Sequence, residues 1–123
     1  FLGAADEAYA AIRASTTDVA DIARHTGLKP ENIQTVKNHV FEEVHLLDRY
    51  VDYGEPAVWA RFDSDIGQAN AWQRLQSGTH TPDDIAWLKH EMAEGWYMRQ
   101  HGPGYSAAHD AAQHRYPAPD FGE

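Results

Sequence analysis

Signals that start and stop helices recur along this chain at short intervals, and they leave little room for sheet. "TPDDIAWLKHEMAEGWYMRQHG" opens with Thr81 as a cap, Pro82 in the first turn and Asp84 three residues after the cap. That pattern satisfies the free N–H groups at a helix start, and it predicts a helix to about Gln100. "TTDVADIARHTG" has a Thr/Asp cap signal and closes at Gly27, with Val19, Ile22 and Ala23 as its apolar stripe. "KPENIQTVKNHVFEEVHLL" starts with Pro30 near the first turn. Its Ile33, Val36, Val40 and Val44, with Phe41 and Leu47 beside them, follow the spacing of one continuous helix. "GAADEAYAAIRAS" carries Tyr9 and Ile12 on one stripe, "SDIGQANAWQRLQSG" reads as helix from about Asp65 to Gln76, and "YSAAHDAAQHRY" is a short Ala-rich helix closed by Pro117. No stretch alternates cleanly with period two.

Between these helices, the segment from Asp48 to Asp63 holds Gly54, Pro56 and four aromatic residues, Tyr50, Tyr53, Trp59 and Phe62. It reads as a long ordered loop pinned by its rings, with room for a short hairpin, and loops of this length in a small domain often carry function. The expected fold is therefore all-α: a single-domain bundle of about six helices over residues 1–116 with one long aromatic-rich loop, then a frayed tail over 117–123. A length of 123 residues and 42% hydrophobic content suffice for one core. No apolar run approaches the roughly 20 residues of a membrane span. The first residue is Phe1, not Met, which suggests a piece of a longer protein or a processed product, and no basic-then-apolar leader is visible in the sequence.

The chain has no cysteine, so disulfides, thiolate metal sites and cysteine nucleophiles are excluded, while eight histidines keep a His/carboxylate site open. A net charge of −9 argues against a plain DNA-binding module. The helix–turn–helix outline of "ARHTGLKPENIQTVKNHV" does not reverse this, because Glu31, Glu42 and Glu43 outweigh Lys37 on its second helix. Two groups carry candidate chemistry. In "WLKHEMAEGWYM", His90 and Glu94 lie four apart on one helical face and Glu91 lies about 100° round from His90. H-E-x-x-E resembles the H-E-x-x-H of zinc peptidases, with a glutamate in the second ligand position. In "NHVFEEVH", a continuous helix pairs His39 with Glu43 and Glu42 with His45. If the two helices pack antiparallel, His39, His45, His90 and Glu94 converge, with His109 as a third contributor. Arg61 and Asp63 of "RFD" supply either a clamp on developing negative charge or a salt bridge closing the loop. His25, His80, His101 and His114 fall at helix ends or in loops.

Read in order, "KNHVFEEVH", "RFD", "AWQRL", "DIAWLKHEMAE" and "YSAAHDAA" resemble the C-terminal effector domains of polymorphic bacterial toxins on Rhs-type, contact-dependent or phage-head-morphogenesis-linked carriers. The likeness spans residues 15–116 and covers Asn38, His39, His45, Arg61, Asp63, Trp72, Arg74, His90, Glu91, Glu94 and His109. It implies a toxin delivered as part of a larger protein, acting in a target bacterial cytoplasm and neutralised by a cognate immunity protein. The expected activity is a hydrolase, a nuclease first and a zincin-like metal-dependent peptidase second, with catalytic residues His39, His45, His90, Glu91, Arg61 and His109. A divalent metal, zinc or magnesium, would sit on His90, Glu94 and His45, with metal-free acid–base chemistry equally open. Opposed to these stands a non-enzymatic helical protein-interaction module, whose His and Glu groups would lie scattered in space.

Overall fold

A computed structural model describes residues 3–121; Phe1, Leu2 and residues 122 and 123 of the expected tail lie outside the described residues. Six α-helices form: α1 Ala4–Ala14, α2 Asp18–Thr26, α3 Pro30–Lys37, α4 Ile66–Ser77, α5 Pro82–His101 and α6 Tyr105–Arg115. Gly27 and Gly78 end α2 and α4 in the left-handed conformation, at φ 75° and 77°. Thr81 and Asp84 form the reciprocal capping box that starts α5. The buried Asp84 carboxylate also takes two bonds from Arg74 of α4, at 2.8 and 2.7 Å, which locks the α4–α5 turn.

The third helix departs from expectation. It leaves α geometry at Lys37 and continues as a π turn, Asn38–Glu42, closed by the Glu43 N–H donating to the Asn38 carbonyl at 2.7 Å. The chain then turns extended. His45–Leu47 is a strand, β1, paired antiparallel with β2, Val58–Ala60, in the register His45 to Ala60 and Leu47 to Val58. The fold is thus mostly α with a two-stranded hairpin. The periodicity of Val40 and Val44 suggested a helix, but Val44 is 59% exposed and Val40 is buried. Three-residue strands are too short to show an alternating pattern.

The core gathers Tyr9 and Ile12 of α1, Ile22, Ile33, Val36, Phe41, Trp72 and Leu75 of α4, and Trp87 and Leu88 of α5. Tyr9, Phe41, Trp72 and Trp87 meet edge to face in sequence, with ring centroids 4.7, 5.2 and 6.4 Å apart. A polar anchor sits within it: Lys37 bonds Asp18 at 2.9 Å and the Ser15 carbonyl at 2.9 Å, and the Trp72 indole N–H bonds the other Asp18 oxygen at 3.0 Å. All three buried groups are satisfied, as burial of a charge pair demands. Past α6 the chain folds back. The Ala118 N–H donates to Gln113, and Phe121 packs on the core.

The hairpin also holds the N-terminus of α6 in place. Leu46 bridges to Gly104, and Asp48 accepts from the Ser106 N–H at 2.9 Å. Gly104 at the cap position has no side chain to offer, so Asp48 supplies the cap from a distance.

Candidate functional site

Helix α5 carries His90, Glu91 and Glu94 into the interior, at 1%, 7% and 2% exposure. Glu94 is the hub. Its Oε1 accepts from His39 Nε2 at 2.9 Å. Its Oε2 faces His90 Nε2 at 3.3 Å and His109 Nδ1 at 3.2 Å. His39 comes from the π turn and also lies 3.4 Å from Glu91. Gly95 allows the approach: a Cβ there would meet the His39 ring at 3.5 Å. His109 comes from α6, and its side chain is 37% exposed. Helices from three parts of the chain therefore converge on one carboxylate.

Among the described residues, two groups have ligand atoms close enough to hold a metal ion: His90, Glu94 and His109, and His39, Glu91 and Glu94. Tetrahedral ligands about 2.0–2.1 Å from zinc stand about 3.3 Å from one another. The 3.3 and 3.2 Å hydrogen bonds of Glu94 Oε2 come close to that edge, as does the 3.4 Å His39–Glu91 contact, while the 2.9 Å His39–Glu94 bond is shorter. Access separates the two groups. His90, Glu94, His109 and Glu91 line a cavity of about 300 Å³, and His39 does not reach it. His90 also donates Nδ1–H to the Tyr116 carbonyl at 2.9 Å. With Nδ1–H engaged, Nε2 is the ring atom that faces Glu94: protonated, it donates to the carboxylate, and deprotonated, it would offer its lone pair to a cation.

The electrostatics follow from the same contacts. Burial alone would lower His39, but Glu91 and Glu94 outweigh it and lift it to about 9, so the ring is an imidazolium clasped by two carboxylates. Burial lowers His90 as well, and its bond to Glu94 more than restores it, leaving it raised. Burial pushes Glu91 up, only partly offset by His39. Burial acts the same way on Glu94, but the bonds from His109, His39 and His90 hold it well below the usual carboxylate range. Two neighbouring carboxylates are thus pushed apart, one toward a base that titrates nearer neutrality and one toward a permanent anion. Tyr105, whose ring stacks on His109 with centroids 5.3 Å apart, is raised by burial and keeps its phenolic proton.

Two expected members lie apart. His45 sits on β1, stacks on Phe62 at 4.3 Å, and donates Nε2–H to the His39 carbonyl at 2.7 Å. Burial lowers it and keeps it neutral. It braces His39 and is in neither metal group, because the helix that was to align it ends before it. Arg61 is exposed, donates to the Glu42 carbonyl at 2.9 Å, and does not line the cavity. Nor does it pair with Asp63, whose ion-pair partner is Arg49 at 3.8 Å. Arg49 is the cation lining the cavity, and nothing in its sequence spacing marked it. Around it stand five carboxylates, Asp63, Asp65, Glu91, Glu94 and Asp120. His25, His101 and His114 lie exposed in the last turns of α2, α5 and α6, and His80 is half-buried before α5.

No protein-family model, curated protein or solved structure matches the chain.

Proposed function

We propose that this chain is a divalent-metal-dependent hydrolase, with His90, Glu94 and His109 as metal ligands and Glu91 as general base. The observation that carries the reading is the pair of ring nitrogens at 3.2 and 3.3 Å from one oxygen of Glu94, in the lining of a cavity. Two histidines and a glutamate, with a fourth position left to water, make up a donor set that catalytic zinc sites use. A metal there supplies a Lewis acid and acidifies water. The chain supplies the rest. Glu91, adjacent and raised by burial, would take a proton from the water whose oxygen attacks the substrate carbonyl and give it to the leaving group as that bond breaks. His39 holds both carboxylates in place. Arg49 and the protonated Tyr105 line the same cavity and would stabilise developing negative charge there. The role expected of Arg61 passes to Arg49.

The bond we assign is an amide in place of the phosphodiester that the toxin resemblance favoured. Five cavity carboxylates against one arginine suit a metal and a neutral or cationic substrate, and oppose a polyanion. The effector setting, with a carrier polypeptide and a cognate immunity protein, remains the biological context proposed for it. The test is induced expression in bacterial cytoplasm, with total protein, RNA and DNA inspected. The reading predicts growth arrest and protein cleavage with wild type and neither with Glu91→Gln. RNA or DNA cleavage with protein intact would return the nuclease, and growth equal to Glu91→Gln with all three polymers intact would favour the interaction module.

A further inference from the structure

The opposite face of α5 carries a second depression, of about 590 Å³, between α3, α5 and α6. Its apolar floor includes Met92, Trp96 and Tyr97, and Trp96 is 54% exposed. Trp96 is one part of a contiguous apolar surface with Met92 and Tyr97, and a patch rimmed by polar residues marks an interaction site. The rim is more specific. Lys89, Arg99 and Arg115 line this groove and no acidic residue does. Three of the ten lysines and arginines of a chain with net charge −9 are thus gathered on one apolar patch. Among the described residues, none of the three takes part in an ion pair.

The length of the patch selects its occupant. Lys89 and Arg99 are ten residues apart on α5, about 15 Å along its axis. A single small carboxylate cannot meet both ends. Three turns of helix span that distance, and an amphipathic helix in an apolar groove is a common recognition mode. We propose that this groove docks an acidic amphipathic helix of a partner protein, with its apolar side on Met92, Trp96 and Tyr97 and its carboxylates on Lys89, Arg99 and Arg115. The proposal does not depend on the metal reading.

The test uses the full chain and a fluorescein-labelled helical peptide of about 14 residues, leucine on one face and glutamate on the other, read by fluorescence anisotropy. A twin peptide has every glutamate replaced by lysine. The glutamate peptide binds at least about tenfold tighter than its twin, Lys89→Glu with Arg99→Glu reverses that order, and Trp96→Ser weakens binding about tenfold. These are exposed positions, and circular dichroism verifies that each variant is folded. Equal binding of the two peptides, or an unchanged order in the charge-reversed variant, overturns the proposal. So does displacement of the peptide by dodecanoate at equimolar concentration, which would assign the groove to a small amphipathic acid.

Discussion

His109 and His45 are both histidines near Glu94, and the structure gives them different work. One aims a ring nitrogen at Glu94 Oε2, and the other spends its Nε2–H on the His39 backbone. His109→Ala should therefore abolish tight zinc binding, while His45→Ala should keep it within a few-fold and lower stability by about 1–2 kcal/mol through loss of a buried bond. Isothermal titration with zinc and urea unfolding measure the two effects. The placement of His90 and Glu94 together was legible in the sequence, because helical spacing alone puts them on one face. His109 was named from the last helix as a third contributor and does reach Glu94, whereas nothing in the sequence pointed to Arg49. The same limit applied to His45: its assignment rested on Glu42 and His45 sharing a helix, and the backbone leaves the helix between them. What fixes these positions is the hairpin and the cap that Asp48 gives α6, and neither has a signature at the level of residue spacing.

Element boundaries were legible where a cap chemistry announced them. The Thr81-Pro82-Asp84 start of α5 and the glycine stops of α2 and α4 form as the sequence directs. The π turn and the three-residue strands carry no such punctuation, and tertiary contacts decide them. Two predictions belong at this scale. Asp84 is both cap and ion-pair partner. Burial alone would raise its carboxyl, but Arg74 and the Thr81 N–H outweigh that and hold it below its ordinary 3.8. A depressed carboxylate stabilises the fold above its unfolded pKa, and this contribution is lost as pH falls through the folded value. Asp84→Ala should cost about 2–3 kcal/mol near neutrality, and its deficit against wild type should shrink as pH falls below about 4, read by urea midpoints. A deficit that does not change with pH would contradict this assignment. Gly95 tests the packing against His39. A methyl there meets the ring at an ordinary 3.5 Å and the mobile end of Arg99 at 3.3 Å. Gly95→Ala should thus gain helix propensity, raising stability by about 0.5–1 kcal/mol, whereas Gly95→Leu should displace His39 and weaken zinc binding.

At the scale of the whole molecule, charge is segregated by face. One side of α5 holds an acidic cavity and the other a cationic apolar groove, and the two meet at Tyr116, which lines the groove and holds His90 through its carbonyl. A metal held between α5 and α6, as proposed, would tie folding to the ion. Zinc at about 100 times its dissociation constant should add about 2.7 kcal/mol, a rise in melting temperature on the order of 10 °C, and a chelator should remove it. The most direct test of the central claim is a zinc titration of the purified chain, followed calorimetrically, beside His109→Ala and Glu94→Gln. The account predicts one tightly held ion per wild-type chain and none at comparable affinity in either variant. Undiminished binding in both variants, or no binding by the wild type, would contradict it.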